Sequence, residues 1–387
     1  MLPTMERRTL LAAAAATGLP AATAMSQSPA PALDPAALSG LDARIEAAIA
    51  ARRLPGAVLW VERLGAEPYR RVYGQRAWEP APEALALDAV FDAASLTKPV
   101  VTGTLMAQWL ERGRVGLDDA VVQHLPEFGG GVGISVRHLL THNSGLPAIL
   151  PLEPAWSGAG TAYALACSAR PSDAPGQVFR YSDVNYILLG HLIERLGGAP
   201  LAEQAEQRVL QPLQMRDSGF LPLRRHAAQR LVPTEFDGST MLRGTVHDPA
   251  ARRMGGVAGH AGLFSTAADL ARYARCMLQT GALDGVRVLS APSARLMTTN
   301  AAPPGLPARG LGWDIDSPFS RPRGAHYPRG SSFGHTGFTG CAMWIDPGSR
   351  SFYVLLSNRV HPRGSDSIVA LYEEVGTLAA RAAGVGA

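Results

Sequence analysis

Segments that favour β-strands stand near both ends of this chain, and a long helical stretch separates them. GAVLWVERLG and a short segment at residues 70–73 predict a hairpin, and TGCAMWIDP and SFYVLLSNR predict two later strands. Between them, apolar residues recur at helical spacing in VVTGTLMAQWLERG and NYILLGHLIERLGG. This pattern predicts an α/β (α+β) fold. One antiparallel sheet, flanked by helices, is built from both chain ends, and a mostly helical domain is inserted.

The same pattern predicts where the parts of the chain begin and end. Flanking helices are predicted at residues 36–52 and 366–380. The predicted parts are a signal peptide at 1–24, a linker at 25–35, an α/β domain at 36–99 and 246–387, and a helical domain at 100–245. Of the 387 residues, 47% are hydrophobic, which is enough for the core of a protein of enzyme size.

The amino-terminal segment has the pattern of a twin-arginine secretory signal. Arg7 and Arg8 precede a short apolar stretch that Gly18 and Pro20 interrupt, and small residues at 22–24 form a cleavage pattern. A frayed amphipathic helix is the alternative interpretation. No other stretch approaches the roughly 18 apolar residues that a membrane helix needs. We therefore expect a periplasmic or secreted protein without a stable membrane anchor once the signal is removed.

The charge of the chain does not indicate nucleic-acid binding. The formal net charge is +4 and the isoelectric point is about 9.1, but the arginines are scattered in ones and twos among acidic residues. A nucleic-acid-binding protein would carry a basic run or a basic stripe with interleaved aromatic residues. We expect a small-molecule or peptide substrate instead, and the sequence leaves the oligomeric state open.

Ser95 and Lys98, in FDAASLTKPV, form an S-x-x-K pair. Residues three apart lie on one face of a helix, so the ammonium group can reach the hydroxyl oxygen. The non-catalytic alternative is a helix cap followed by a surface lysine. However, Lys98 is the one lysine in a chain whose Lys+Arg total is 36. Arginine can replace lysine where only charge is needed but not where a proton must be exchanged, so we predict a nucleophile and its activating partner.

Two further segments carry candidate site residues. Tyr181, in APGQVFRYSDVNYILLG, lies between a turn signal and a predicted helix. A tyrosine there is either a packed side chain or a proton relay beside the lysine. In GHTGFTG, glycines flank His335 and Thr336 and would let a substrate approach the backbone closely. A structural histidine is the alternative at that position.

No metal or organic cofactor is expected. Residues 330–334 fit G-x-S-x-G, but a nucleophile elbow needs a strand before the serine and a helix after it, and here a predicted strand follows. His247, Asp248 and His260 lack helical metal-ligand spacing, so a glycine-rich active-site loop is favoured. The chain has three widely separated cysteines: Cys167, Cys276 and Cys341. At most one disulfide bridge is possible among them, and buried free thiols are favoured.

Together these motifs resemble the serine β-lactamase and penicillin-binding-protein family. The resemblance rests on Ser95-x-x-Lys98, Tyr181-Ser182-Asp183 and His335-Thr336-Gly337, in this order, with a helical insert between the first and the last. LLTHNSGLP, PLQM and GGVAGHAGLFSTAADLARY support it. The likeness is greatest to the class C-like branch, which includes D,D-carboxypeptidases, D-aminopeptidases, cell-wall amidases and family VIII carboxylesterases. It covers nearly the whole chain after the signal segment.

The resemblance implies roles for the catalytic residues. Ser95 would be the nucleophile, Lys98 its activating partner and Tyr181 the proton relay that protonates the leaving group. The backbone N–H groups of Ser95 and Phe338 would form the oxyanion hole. The substrate-binding residues implied in the same way are Asp183, His335, Thr336 and Gly337.

Two of these positions depart from the family pattern. Asp183 stands where the family commonly has Asn, and its carboxylate could pair with Lys98 or His335 and raise the pKa of the lysine. His335 stands where lactam-binding members usually have Lys. Because its reference pKa is about 6.5, histidine is mostly neutral at pH 7. A permanent cation for a substrate carboxylate is therefore not expected there.

The sequence thus predicts an exported serine hydrolase that cleaves amide or peptide bonds in cell-wall-derived or D-aminoacyl substrates through an acyl-enzyme. Two alternatives stay open. One is a carboxylesterase or weak β-lactamase on the same scaffold. The other is a penicillin-binding sensor that is acylated but does not turn over.

Overall fold

A large antiparallel sheet organises the molecule. The computed structural model describes residues 32–130, 133–364 and 367–386. The sheet has eight strands, and every strand pairs antiparallel with its neighbours. In spatial order the strands are β10 (Ala308–Arg309), β11 (Asp314–Asp316), β12 (Phe333–Gly337), β13 (Cys341–Asp346), β14 (Ser351–Ser357), β1 (Gly56–Arg63), β2 (Tyr69–Ala77) and β3 (Glu83–Ala84). Strands from both chain ends meet where β14 pairs with β1, so the predicted fold class is confirmed.

The central strands are apolar along their whole length because both faces of the sheet are covered. Trp60 of β1 lies opposite Val354 of β14, and both belong to one core cluster. The adjacent pair, Leu59 and Leu355, points to the other face and belongs to the second cluster. Successive side chains of a strand point to opposite faces, so a strand between two cores reads as a continuous apolar run.

The described chain has eleven α-helices. They are α1 (Pro35–Ala50), α2 (Thr104–Glu111), α3 (Val121–His124), α4 (Val136–Leu140), α5 (Ala159–Ser168), α6 (Asp183–Gly197), α7 (Leu201–Ala205), α8 (Pro249–Arg253), α9 (Ala267–Leu278), α10 (Ala291–Thr298) and α11 (Val369–Ala382). Helices α1 and α11 pack against each other and cover one face of the sheet. None of the helices in the described ranges is both long and apolar enough to cross a membrane.

The helix bounds differ slightly from those predicted. Helix α1 begins at Pro35 because the Asp34 side chain accepts hydrogen bonds from the N–H groups of Ala36 and Ala37. It ends two residues before the predicted position, and α11 is shifted by two or three residues from the predicted 366–380. Such shifts follow from cap geometry, which hydrophobic spacing does not reveal.

The middle of the chain is less purely helical than predicted. A hairpin of β5 (Pro233–Asp237) and β6 (Thr240–Arg243) lies inside the stretch 100–245. Two short strand pairs lie outside this stretch: β4 (Phe91–Asp92) with β7 (Phe264–Ser265), and β8 (Ala282–Leu283) with β9 (Val286–Arg287). The predicted domain boundaries stay predictions. The predicted signal peptide and residues 25–31 of the linker lie outside the described residues.

The three cysteines are buried and unpaired, as predicted. Burial raises the pKa of each thiol, to about 11 for Cys167 and about 12 for Cys276 and Cys341. These side chains therefore pack as small apolar groups.

Candidate active site

The predicted site residues converge on one cavity. It has a volume of about 460 Å³. It lies between the turn that carries Ser95, the start of α6, the loop before α8 and strand β12. Its lining residues are Ala94, Ser95, Ile149, Tyr181, Asp183, His247, Asp248, Pro249, Ala261, Arg309, Asp314, Phe319, His335, Thr336 and Phe338.

Ser95 stands at the beginning of a continuous helical segment. A 3₁₀ turn at Ala94–Leu96 leads into a π-helical turn at Lys98–Gly103 and then into α2. Ala94 has a φ angle of 48°, in the left-handed region that residues other than glycine seldom adopt. The buried carboxylate of Asp92 fixes this turn, because its Oδ1 accepts from the Ala94 N–H at 2.9 Å. The structure therefore holds a sharp turn directly before the candidate nucleophile.

Lys98 is fully buried, and its ammonium nitrogen contacts three acceptors. Nζ lies 2.9 Å from Ser95 Oγ, 3.0 Å from the carbonyl oxygen of His260 and 2.7 Å from Asp183 Oδ1. Three acceptors match the three hydrogens of a charged ammonium group. Burial alone would lower the pKa of Lys98, but Asp183 and Tyr181 outweigh it and the pKa is raised. Of the two partners predicted for Asp183, Lys98 is the one that the structure shows.

Tyr181 lies immediately before α6 and faces the lysine. Lys98 Nζ is 4.9 Å from the centre of the phenol ring. Ser182 caps α6, since its Oγ accepts from the Asn185 N–H at 3.3 Å and donates to the carbonyl oxygen of Pro147 at 2.6 Å. The cap fixes the backbone between the phenol and the Asp183 carboxylate. The helix start thereby places both groups beside Lys98.

His142, which the sequence prediction missed, holds this segment from behind. Its ring stacks on Tyr181 with centroids 4.4 Å apart and an interplanar angle of 28°. Its Nδ1 accepts from the Ser182 N–H at 3.0 Å, and its carbonyl oxygen accepts from the Arg180 N–H at 2.9 Å. Burial, with Arg309 adding to it, holds the pKa of His142 well below 6.5, so the ring is neutral at pH 7.

Strand β12 brings the His335-Thr336-Gly337 motif to the opposite wall. It pairs with β13 along its length but with β11 only at Gly334. One backbone edge of residues 335–337 is therefore unpaired, and His335 and Thr336 line the cavity. A Cβ atom at Gly337 would lie 2.5 Å from the carbonyl oxygen of Ala93. Glycine is therefore needed where this strand touches the Ser95 turn.

His335 presents an acceptor to the cavity. Burial first, and then the charges of Arg309 and Lys98, hold the pKa of His335 well below 6.5. Its Nδ1 lies 2.8 Å from the carbonyl oxygen of Thr336. A nitrogen that approaches a carbonyl oxygen must carry the proton, so in the neutral ring Nε2 is the acceptor. Nε2 is buried and has no hydrogen-bond partner among the described protein atoms.

Arg309 adds a permanent cation that the sequence prediction did not include. Its side chain is fully buried beside the rings of Phe179 and Tyr181. Asp314, which is also buried, offsets the charge, because its Oδ1 is 3.4 Å from Arg309 Nη1. A cation therefore does line the cavity. Asp314 offsets its charge, but none of its three guanidinium nitrogens has a hydrogen-bond partner among the described protein atoms. In the sequence, the two glycines of RGLGWD were the one local feature that could have indicated a tightly packed backbone next to Arg309.

The loop residues His247 and Asp248 line the cavity as well. Asp248 Oδ1 lies 2.8 Å from Nε2 of the buried His260 and also accepts from the Ala251 N–H at 2.7 Å. Burial alone would raise the pKa of Asp248, but His260 and the backbone bond lower it below its usual range. His247 pairs through Nε2 with Glu235 at 2.8 Å.

Three groups in the described ranges offer ligand atoms within 4.8 Å of one another: Asp183, Asp248 and His260. Lys98 already pairs with Asp183, and His260 with Asp248. These oxygen and nitrogen atoms therefore serve an ion-pair network around the lysine.

Ser332, the serine of the G-x-S-x-G pattern, lies away from this chemistry. It is fully buried before β12, where its Oγ donates to the carbonyl oxygen of Pro328 at 2.5 Å and accepts from Trp344 Nε1 at 2.9 Å. Both bonds are structural.

The chain matches a family model and several known proteins along most of its length. The family model described as "Beta-lactamase" matches residues 41–375. "Putative D-alanyl-D-alanine carboxypeptidase" of Escherichia coli (strain K12) is 31% identical over 309 residues, which cover 72% of this chain and 70% of the relative. "N-acetylmuramyl-L-alanine amidase" of Bacillus subtilis (strain 168) is 31% identical over 363 residues, which cover 84% and 81%.

A solved structure titled "A class C beta-lactamase" has a TM-score of 0.69 at 20% identity, with 88% of this chain and 95% of that chain covered. At this level of identity the likeness concerns the fold.

Proposed function

The chain belongs to the beta-lactamase family, and from that premise we propose that it is an exported serine hydrolase that cleaves amide or peptide bonds. The proposed substrates are cell-wall-derived or D-aminoacyl compounds. One observation carries the proposal: Ser95 Oγ lines the cavity and accepts a hydrogen bond from the buried Lys98 ammonium at 2.9 Å. The names of the amidase and carboxypeptidase relatives support amides as the substrates.

In the proposed reaction, the active form carries Tyr181 as a phenolate beside the Lys98 ammonium. Ser95 Oγ attacks the substrate carbonyl carbon, and the serine proton passes to the phenolate oxygen. The N–H groups of Ser95 and Phe338 stabilise the oxyanion. When the carbon–nitrogen bond breaks, Tyr181 returns the proton to the leaving amine, and a Ser95 ester remains. Water then attacks this ester, the proton returns to Ser95, and the acid product leaves.

Lys98 acts as a cation in this scheme. A positive charge within hydrogen-bonding distance of Oγ stabilises the negative charge that develops on the serine oxygen. The raised pKa of Lys98 supports this role better than that of a neutral base. A compact ammonium group with three contacts also explains why arginine does not stand at this position.

We also propose that the protein acts in the periplasm or outside the cell. The twin-arginine pattern at Arg7 and Arg8 supports export. The proposed cell-wall-derived substrates would be met in that compartment.

A carboxylesterase is the second candidate. Three exposed apolar side chains that line the cavity, Ile149, Phe319 and Phe338, favour it, because they suit the acyl chain of a simple ester. A penicillin-binding sensor is distinguished from both by its failure to turn over.

The test compares wild-type protein with Ser95→Ala on D-alanyl peptides, N-acyl amides, p-nitrophenyl esters and nitrocefin, with turnover and intact mass measured. We expect turnover by the wild type and a loss of about 10⁴-fold or more in Ser95→Ala. Ser332→Ala is the control and should stay active. Full activity of Ser95→Ala on every substrate would refute the proposal, whereas stable acylation without turnover would favour the sensor.

A further inference from the structure

Asp92, at the end of β4, joins two walls of the cavity through its carboxylate. The side chain is buried, and Oδ1 accepts from the Ala94 N–H at 2.9 Å while Oδ2 accepts from the His247 N–H at 2.7 Å. Ala94 belongs to the turn that carries Ser95, and His247 belongs to the loop before α8. One carboxylate therefore connects the Ser95 turn to this loop.

The backbone of Asp92 reaches a third segment. Its carbonyl oxygen accepts from the Thr339 hydroxyl group at 2.7 Å, and Thr339 directly follows Phe338. Asp92 is itself held in place, because it pairs with Phe264 where β4 meets β7. It is therefore a fixed point to which both the turn before Ser95 and the segment after β12 are attached.

These contacts lie next to both N–H groups of the proposed oxyanion hole. The first N–H belongs to Ser95, which follows Ala94, and the second belongs to Phe338, which precedes Thr339. Both donors stabilise an oxyanion only if each lies about 2.7–3.1 Å from the position of the same oxygen atom. The spacing of the donors therefore has to be fixed, and Asp92 is bonded to the chain neighbour of each one.

A role limited to the stability of the turn does not account for this arrangement. A cap of the Ala94 turn needs one acceptor oxygen, yet the second carboxylate oxygen and the carbonyl oxygen of Asp92 are also engaged. The buried carboxylate is costly to desolvate: burial raises the pKa of Asp92, and the bonds from His247 and Ala94 oppose the rise. The left-handed φ angle of Ala94 also persists only where surrounding contacts hold it. The carboxylate therefore stabilises a strained turn at the place where the geometry of the donors is set.

We infer that Asp92 is a positioning residue that sets the spacing of the Ser95 and Phe338 N–H groups, and that the Thr339 hydroxyl group shares this role. The inference rests on the proposed function, since it concerns the oxyanion hole of the proposed acyl transfer. It assigns to Asp92 an effect on the transition state, in which negative charge develops on the carbonyl oxygen, and little effect on substrate binding.

Replacement of one substrate oxygen by sulfur tests the inference. p-Nitrophenyl butyrate and O-p-nitrophenyl thionobutyrate differ only in the C=O or C=S group that enters the oxyanion hole, and sulfur is the weaker hydrogen-bond acceptor. We expect Asp92→Ala to lower kcat for the ester by about 10²-fold with little change in KM. The loss for the thionoester should be about tenfold smaller. Equal losses for the two substrates would overturn the inference.

Thr339 provides a second test that leaves the buried carboxylate in place. Thr339→Val removes the hydroxyl group that binds the Asp92 carbonyl oxygen, whereas Thr339→Ser keeps it. We expect Thr339→Val to lower the ester-to-thionoester ratio of kcat/KM and Thr339→Ser to retain it. A wild-type ratio in Thr339→Val would contradict the inference even if Asp92→Ala does not fold.

Asp346→Asn is the matched control for Asp92→Asn. Asp346 is also buried and accepts from two backbone N–H groups, those of Gly348 at 3.2 Å and Ser349 at 2.9 Å. It lies at the other end of β13 from the residue that pairs with Gly337. Both substitutions should destabilise the protein, because an amide keeps only one acceptor oxygen, but only Asp92→Asn should lower the ester-to-thionoester ratio. An equal change of the ratio in both variants would overturn the inference.

The rate at which a fluorophosphonate labels Ser95 separates this inference from the proposed function. Ser95 Oγ displaces fluoride from phosphorus and the phosphoryl oxygen occupies the oxyanion hole, so no turnover is needed. We expect labelling of Asp92→Ala and Thr339→Val to be slower by about tenfold or more than labelling of the wild type and of Asp346→Asn. Equal rates would overturn the inference. A wild type that is labelled at Ser95 but hydrolyses none of the substrates would bear on the proposed function alone.

Discussion

At the scale of single residues, the state of Lys98 decides how the site works. Its ammonium group has three acceptors, and the Asp183 carboxylate raises its pKa. In the resting protein the lysine is therefore a cation at neutral pH. From the sequence alone, the single lysine is explained by proton exchange. The structure favours another explanation: a compact cation with three contacts is needed, and a planar guanidinium cannot replace it.

Asp183→Asn tests this assignment. Burial is the largest influence on the pKa of Lys98 and lowers it, whereas the Asp183 carboxylate raises it. Removal of the carboxylate should therefore lower the pKa. If the charged form is active, the alkaline decline of kcat/KM should move to lower pH in the variant. Asp284→Asn, which alters an exposed carboxylate paired with Arg272, is the control and should keep the wild-type profile. A gain of activity at neutral pH in Asp183→Asn would mean that neutral Lys98 is the active base.

His142 is the second residue at this scale whose role can be separated. It bonds to the backbone on both sides of Tyr181 and stacks on the phenol ring. Its φ angle is 61°, a left-handed conformation that asparagine tolerates better than alanine.

We expect His142→Ala to lower the free energy of unfolding by about 1–3 kcal/mol, because the Ser182 N–H loses its buried acceptor. kcat should fall while KM changes little. His142→Asn keeps an acceptor and should recover most of the stability but not the full kcat, since the stacked ring is absent. Wild-type kcat in both variants would contradict a positioning role; denaturant melts and steady-state kinetics provide the two readouts.

At the scale of elements, the contact between β12 and the Ser95 turn sets the width of the site. Gly337 lies against Ala93 with no room for a side chain. The order of the two segments along the chain and their strand or helix character were predictable from the sequence. Their approach was not, because residues 93 and 337 are far apart in sequence and no local pattern reports such a contact.

Gly337→Ala should push β12 away from the turn, since the added Cβ would meet the Ala93 oxygen at 2.5 Å. We expect a loss of kcat/KM of about tenfold or more, measured on p-nitrophenyl butyrate. The matched control is Gly160→Ala in α5, where a Cβ meets nothing within 4 Å. That control should stabilise the protein slightly, by about 0.5–1 kcal/mol, and leave activity unchanged. Equal effects of the two substitutions would contradict the close-contact argument.

At the scale of the whole molecule, burial or partial burial favours the neutral form of several histidines. Burial holds the pKa of four of them below 6.5: His138, His142, His335 and His361. In the unfolded chain these groups regain a pKa of about 6.5. The unfolded state then binds more protons than the folded state, so stability is full above pH 6.5 and is lost as the pH falls below it.

The free energy of unfolding should therefore decline between pH 6.5 and pH 5 by up to about 1.4 kcal/mol per pH unit for each such histidine. Between pH 7 and pH 8 the same curve should be nearly flat. Urea denaturation at each pH measures both intervals. A stability that is constant from pH 7 to pH 5 would show that these rings are charged in the folded protein.

The sequence predicted the global fold better than the walls of the site. Strand and helix periodicities repeat over many residues, and the paired ends of the sheet follow from them. Ser95, Lys98 and Tyr181 carried recognisable motifs. By contrast, Arg309 and Ile149 line the cavity, and His142 supports Tyr181 from behind, only through tertiary packing. Their neighbours in sequence give no periodic signal for these positions.

The central claim is that Ser95 is the residue that becomes acylated. Treatment of the wild type with a fluorophosphonate, which traps activated serines as a stable adduct, followed by intact-mass measurement and peptide mapping, tests it most directly. The account predicts a single adduct, located on Ser95, together with loss of hydrolysis, and no adduct in Ser95→Ala. An adduct on another residue, or an equal adduct in Ser95→Ala, would contradict it.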